Sequence, residues 1–222
     1  TKPNSFPLPV IDDILARLGK SMYFTSLDLK QGYWQLLLKH EDREKTAFTC
    51  HRGLFEFNVC PFGLRNAPQV FSSAISTLLQ GLDHFAVAYL DDILIFSKSE
   101  EAHLSHINQV FQRLRKHNFK LKLRKCSFFQ TETKYLGFTI NRQGIKPDEN
   151  KVDAIRSMTR PNNVKQCRSF ISLCSYYRRF IPNFSDIASP LIHLTKKYTK
   201  FKWSDKCDQA FNYLKESLSR SE

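Results

Sequence analysis

The sequence has no apolar run approaching the roughly 18 residues of a membrane span. Its opening, TKPNSFPLP, lacks the apolar core of a secretory leader. None of its six cysteines forms a C-x-x-C pair, and no Cys/His cluster has zinc spacing. Internal repeats and low-complexity stretches are absent. These gaps exclude a membrane-spanning protein, a zinc module and a disulfide-stapled secreted scaffold, and the expected setting is reducing and intracellular, with no membrane partner. Acidic charge is scarce, with 21 carboxylates against 34 basic residues and a net charge of +13. Such a surplus calls for an anionic partner, nucleic acid or an anionic surface. Solubility alone is the competing explanation.

The chain of 222 residues, 41% hydrophobic, is long enough for one large domain or two small ones. Ile11, Ile14, Leu15 and Leu18 recur at helical spacing before Gly19, and MYFTSLDL then reads as a strand ending at Asp28. QLLLK resumes an apolar run. TAFTC and LFEFNV flank His51-Arg52-Gly53 as a hairpin. CPFGLRNAP is a loop leading into a helix whose stripe is Phe71, Ala74, Ile75 and Leu78. AVAYL and ILIF read as two strands. A helix capped by Ser99 follows, with Leu104, Ile107, Phe111 and Leu114 as its expected buried face. KLKLRKCSFF and KYLGFTI read as strands, the turn NRQG precedes a short helix, and near residues 158–163 the pattern changes to helices only. The order α-β-β-β-α-β-β-α-β-β predicts an α+β layer, with helices on one face of a mainly antiparallel sheet and the other face free.

One stretch resists a purely structural reading. In AVAYLDDILIF, Ala86 to Phe96, two adjacent carboxylates sit between nearly unbroken apolar runs. Tight hairpins favour Asn-Gly or Asp-Gly, so Asp91-Asp92 is a poor turn. Continuous apolar flanks suit strands covered on both faces. Two carboxylates held there repel, and one is driven to take up a proton unless a cation intervenes. Hard oxygen ligands suit Mg²⁺. Asp28 ends another apolar strand with no basic residue on it, and if that strand pairs with the hairpin, three Asp side chains converge. That is a ligand set for two ions, one activating an attacking oxygen and the other stabilising a leaving oxygen. Ordinary turn aspartates plus a strand-end Asp capping a helix is the equal alternative.

AYLDDILI resembles the catalytic hairpin of reverse transcriptases. LDLKQGYWQ and CPFGLRNAPQVF resemble two further motifs of these enzymes, in order. KYLGF resembles the segment that grips the primer end, and CRSFISLCSYYRRFIPNFSDIASPL the thumb of gypsy-type LTR retrotransposon and retrovirus-like polymerases. The resemblance runs over nearly the whole chain. It implies a right-hand polymerase: partial fingers and palm over 1–160, a helical thumb over 161–198, and the start of a connection region over 199–222. It implies an RNA-directed DNA polymerase that extends a primer on an RNA or DNA template with deoxynucleoside triphosphates. Asp28, Asp91 and Asp92 would be catalytic and would hold two Mg²⁺ ions, with Mn²⁺ as substitute and the Leu29 carbonyl as a further ligand. Tyr33 would lie under the sugar of the incoming nucleotide and exclude a 2′-hydroxyl; from residues alone, core packing is the better reading. Phe62, with Gly63, stands where vertebrate retroviral enzymes carry Gln, which keeps the site beneath the template–nucleotide pair without a side-chain hydrogen bond. Leu136 and Gly137 would grip the primer.

Basic residues gather in two places. Lys165, Arg168, Ser172 and Arg179 share one helical face beside the drier Val164, Cys167, Ile171 and Cys174. With Tyr176 nearby they would hold a template–primer backbone without reading sequence. A solvated face is the plain alternative. Lys116, Lys120, Lys122, Arg124 and Lys125 form the second cluster, which follows a template–primer or blunts a sheet edge. Arg65 would be a further template contact. The resemblance also implies triphosphate-clamping fingers upstream, RNase H and integrase segments in a full-length Pol polyprotein, and residence in the cytoplasm, in virus-like particles or in the nucleus. Two rivals stand beside it: an impaired or domesticated palm–thumb fragment that binds template–primer without turnover, and, last, a palm-fold nucleotidyl cyclase, whose glycine-rich acidic hairpin is absent.

Overall fold

The structure, a computed structural model, describes residues 2–219. Its elements in chain order are α1 (Ile11–Arg17), β1 (Tyr23–Asp28), α2 (His40–Arg43), β2 (Phe48–Cys50), β3 (Gly53–Phe55), α3 (Ala67–Leu78), β4 (Ala86–Tyr89), β5 (Asp92–Ser97), α4 (Glu100–Lys116), β6 (Ser127–Gln130), β7 (Glu132–Tyr135), β8 (Phe138–Asn141), β9 (Gly144–Pro147), α5 (Glu149–Arg156), α6 (Val164–Tyr176), α7 (Phe184–Leu194) and α8 (Asp205–Ser219). Short 3-10 turns occupy Gly32–Gln35, Glu44–Thr46, Leu123–Lys125 and Arg178–Phe180. The chain divides into two compact units. One holds residues 1–135 and 140–144, the other 136–139 and 145–222, so the division runs through β8 and β9. The change to helices only, near 158–163, lies inside the second unit.

The first unit is built on a four-stranded sheet in the order β4-β5-β1-β6. Every pairing is antiparallel, as the hairpin-rich pattern predicts. β1 and β5 run in unbroken register from Tyr23↔Ser97 to Asp28↔Asp92. Leu27, Ile93 and Ile95 join Phe71, Ile75 and Leu78 of α3 and Ile107, Val110 and Leu114 of α4 in one core. At about 1.5–3 kcal/mol for each large apolar side chain withdrawn from water, this layer fixes the two central strands. The residues of opposite parity, Phe24, Leu94 and Phe96, are buried as well. The second face is therefore covered along most of its length. Burial falls toward the ends that carry Asp28, Tyr89 and Asp92 and along the edge strand β6.

The apolar run QLLLK leaves a 3-10 turn over Gly32–Gln35, and an isolated bridge joins Leu37 to Val59. Several local expectations change. KLKLRK turns through Leu123–Lys125, and the strand begins at Ser127. α4 keeps its Ser99 cap, whose Oγ accepts from the Ala102 N–H at 3.3 Å. Its inward stripe, however, is His103, Ile107, Val110 and Leu114, and Leu104 and Phe111 are exposed. The hairpin of β2 and β3 forms as read, exposed on both faces.

In the second unit α6 starts at Asn163, whose side chain accepts from the Gln166 N–H at 2.9 Å. Cys167, Phe170 and Cys174 of α6 are buried with Leu191 and Leu194 of α7 and Phe211 and Leu214 of α8. Phe170 and Phe211 meet with ring centroids 4.5 Å apart. The six cysteines are free thiols. Among the described residues no helix is long and apolar enough to cross a membrane.

Candidate active site

The register of β1 against β5 sets Asp28 directly opposite Asp92. Partnered residues of an antiparallel pair project on the same face, with Cβ atoms about 4.5–5.5 Å apart. Asp91 lies in the two-residue turn that joins β4 to β5, since Tyr89 pairs with Asp92. The turn works because Leu90, not an Asp, takes the left-handed conformation, at φ +54°. That is a costly backbone position for a bulky residue, and such strain collects at functional sites. The Asp91 carbonyl accepts from the Leu29 N–H at 3.2 Å, tying the turn to the end of β1. Gly32 is buried against Asp91, where a Cβ would stand 3.5 Å from the Asp91 Cβ.

The electrostatics follow. The Asp92 carboxyl is pushed above the usual carboxylate range, first by withdrawal from water and then by the negative charges of Asp91 and Asp28. Lys125 opposes this, with its Nζ 3.3 Å from the Asp28 Oδ2. No basic residue on β1 itself partners Asp28. The partner comes from the basic run after α4, fixed there by the Lys122 N–H donating to the Asp28 carbonyl at 2.9 Å. Gln35 fastens the same junction: its side-chain amide donates to the Lys30 and Lys120 carbonyls, and its oxygen accepts from the Lys120 N–H. A cleft of about 440 Å³ opens beside the acidic group, lined by Asp28, Leu29, Gln31, Gly32, Tyr33, Phe62, Asp91, Lys122 and Lys125. Gln31, Gly32, Lys122 and Lys125 are the lining residues that the sequence did not single out for the site.

Tyr33 stands in the 3-10 turn after β1, edge-on to Phe62 and to Phe71, both at 5.4 Å between centroids. Its hydroxyl is pushed above its ordinary pKa, chiefly by burial and next by Asp91. Tyr33 is thus both a core contact, through Phe71, and a cleft wall. Phe62 is 63% exposed, an unusual position for a phenyl ring, and Gly63 beside it takes φ +92°. Arg65 is exposed in the turn ahead of α3.

Three hard carboxylates of one electrostatic group are the donor chemistry that Mg²⁺ favours, and the upward push that Asp91 and Asp28 exert on Asp92 is the repulsion that cations relieve. The residues fit the group. Their present arrangement is open: among the described residues no three His, Cys, Asp or Glu side chains stand close enough to hold one ion together. The Asp28 carboxylate is turned to Lys125.

The remaining sequence-derived contacts lie in the second unit. Leu136 and Gly137 take left-handed φ values of +51° and +74°. The Tyr176 hydroxyl donates to the Leu136 carbonyl at 2.6 Å, and the Tyr177 hydroxyl to the Gly137 carbonyl at 2.9 Å. A Cβ on Gly137 would meet the Tyr177 oxygen at 3.3 Å, so glycine is favoured there by its positive φ and by the crowding of the two tyrosines. Lys165 is exposed on α6. Arg168 is exposed too, but its guanidinium donates to the Thr195 carbonyl at 2.7 Å, closing the end of α7. Arg179 departs from the expected helical stripe, because α6 ends at Tyr176 and Arg179 lies in the next 3-10 turn.

Residues 1–140 match the family model described as "Reverse transcriptase (RNA-dependent DNA polymerase)". The chain belongs to the reverse transcriptase family. It is 43% identical over 99% of its length to the retrovirus-related Pol polyprotein from transposon 297 of Drosophila melanogaster. It is 39% identical over 97% to that from transposon 412 of the same fly, and 38% identical over 98% to the transposon Tf2-3 polyprotein of Schizosaccharomyces pombe. It spans only 21%, 18% and 16% of those relatives. Among solved structures it is similar to a foamy viral protease-reverse transcriptase in complex with double-stranded DNA, with a TM-score of 0.92 and 25% identity over 100% of this chain and 39% of that one. A second foamy viral structure, in complex with an RNA/DNA hybrid, gives 0.86 and 26% over 99% of this chain and 30% of that one. This reverse transcriptase segment thus has the mixed helix-and-sheet fold of a polymerase.

Proposed function

We propose that this segment carries RNA-directed DNA polymerisation, in which a primer 3′-hydroxyl attacks the α-phosphate of a deoxynucleoside triphosphate and pyrophosphate leaves. One observation carries the reading: the Asp28↔Asp92 cross-strand pair, with Asp91 in the adjoining turn, beside a cleft walled by Tyr33, Phe62, Lys122 and Lys125. Asp28, Asp91 and Asp92, with the Leu29 carbonyl, would hold two Mg²⁺ ions, or Mn²⁺ in their place. When bound, such ions neutralise charge on the attacking and leaving oxygens of an in-line displacement.

The protein's share is position and electrostatics. Lys122 and Lys125 bring positive charge to the cleft for the triphosphate. Tyr33, packed edge-on against Phe62 and Phe71, would exclude a 2′-hydroxyl. Phe62 and Gly63 would pack under the template–nucleotide pair. Arg65, Lys165, Arg168 and Arg179 would contact template–primer, and Leu136 and Gly137, fixed from behind by Tyr176 and Tyr177, the primer end. In this reading residues 1–160 are partial fingers and palm, 161–198 thumb, and 199–222 the start of a connection.

The test is primer extension on an RNA template by this chain, with Mg²⁺ and then with a chelator. Metal-dependent addition of deoxynucleotides is expected. A folded chain that binds the primed template yet adds nothing, with or without an added upstream fingers segment, would overturn the proposal.

A further inference from the structure

Between Asp186 and Asp205 the chain has no acidic residue, and it carries Lys196, Lys197, Lys200 and Lys202 in one short connection between α7 and α8. All four lysines are exposed. Lysines after a helix often serve its terminal carbonyls, but here Arg168 already takes the Thr195 carbonyl. Among the described residues none of the four pairs with a carboxylate. Tyr198 stands among them, 92% exposed. Its φ is +67°, a conformation that bulky L residues adopt at a cost. The turn is closed by the Thr199 N–H donating to the Lys196 carbonyl at 3.3 Å.

The connection has a fixed base. Trp203 donates from Nε1 to the Asp208 Oδ1 at 2.7 Å, lies under the Arg160 guanidinium at 5.1 Å and meets Phe211 at 6.0 Å. Phe201 lies 6.3 Å from Trp203. Two aromatic rings of the connection are thus packed, and the third is held out in water by a strained backbone. The Lys197 ammonium covers one face of the Tyr198 ring at 4.9 Å, which leaves the other face open.

An exposed aromatic face in a connection that carries four lysines without carboxylate partners matches one ligand chemistry: phosphates at spacing set by a chain, with flat bases beside them. We infer that residues 196–202 form a grip for single-stranded nucleic acid, in which Tyr198 stacks on an unpaired base and the lysines hold its phosphates. Unpaired bases are required, because duplex bases hide their faces in the stack. The inference rests on the polymerase reading only in taking nucleic acid as partner.

The experiment is anisotropy of a labelled oligothymidylate of about 12 nucleotides, matching the few-nucleotide sites of such platforms, titrated with the full chain at several salt concentrations. Tyr198→Ala is expected to weaken binding about 5- to 160-fold, the range for losing one base stack. Tyr198→Phe keeps the ring and is expected to restore it. Lys196→Gln with Lys200→Gln is expected to flatten the slope of log affinity against log salt by about 1.4. Circular dichroism of each variant confirms that it is folded. Parental affinity in Tyr198→Ala, or an equal loss on a blunt duplex, overturns the inference. The measurement needs no turnover. Ring-dependent binding by a chain that never extends a primer would sink the polymerase reading alone.

Discussion

The paired strands β1 and β5 carry two polar groups at opposite ends, and the two are handled in opposite ways. At one end stand Asp28, Asp91 and Asp92, three like charges with the Lys125 ammonium set against Asp28. At the other, His103 shares hydrogen bonds with the Thr25 hydroxyl at 2.8 Å and the Ser97 hydroxyl at 2.7 Å, and Ser97 reaches His106 at 2.7 Å. His103 is fully buried, yet both ring nitrogens have partners. The Thr25 oxygen also accepts from the Phe129 N–H at 3.2 Å. A polar group inside a protein stabilises it when every donor and acceptor is matched. One left with excess charge costs stability and is retained for another use. The same two strands thus separate structure from chemistry over the four residues from Thr25 to Asp28.

The sharpest way to break that contrast is Asp91→Asn. Extension is expected to fall by about a thousandfold or more. Duplex binding and thermal midpoint are expected to hold or rise, because removing one charge relieves the repulsion that raises the Asp92 pKa. A midpoint that drops with activity would make Asp91 a structural residue and erase the distinction. Tyr33→Ala is next, with ribonucleotide discrimination in single-nucleotide incorporation expected to fall by about 10- to 200-fold, the scale of a single steric contact. Unchanged sugar selectivity would leave Tyr33 as packing against Phe71 and nothing more.

Much of the acidic end is legible in the sequence, because two like charges between apolar runs violate the local rules for both turns and core strands. The violation is visible without knowing the pairing. The direct opposition of Asp28 and Asp92 is a register, and it depends on strands separated by most of the first unit. Lys125 escaped for the same reason, since alternation in KLKLRK suggests a strand where the chain folds back through a 3-10 turn onto Asp28. At the satisfied end the signal was weaker still. The helical pattern of α4 is equally well met by Leu104 and Phe111 as by His103 and Val110, and hydrophobicity alone selects the wrong face. Histidine takes the inward position because Thr25 of β1 and Ser97 of β5, far apart in the sequence, await both its nitrogens. Arg168 shows the converse: charge and spacing suggest an outward contact, and the end of α7 claims its guanidinium.

The matched end yields the gentlest prediction, and its sign can be worked out. Burial, followed by the neighbouring His106, pushes the His103 pKa down to about 4, against about 6.5 for a free imidazole. His106 is lowered too, chiefly by burial and next by His84. Between those pH values the unfolded chain binds more protons than the folded one, so stability rises with pH. The contribution of His103 is present in full above pH 6.5 and is lost as pH falls through about 4. His103→Ala, which strands the Thr25 and Ser97 hydroxyls and opens a cavity, is expected to cost about 2–4 kcal/mol at neutral pH by urea unfolding. His103→Gln keeps a donor and an acceptor without a titrating ring. Its midpoint is expected to lie modestly below the parent at pH 7.5 and to converge on it toward pH 4.5, leaving only the slope that His106 supplies. Parallel curves across that window would mean that His103 is not held neutral by its burial, and that the quiet end of β1 and β5 is less settled than its hydrogen bonds imply.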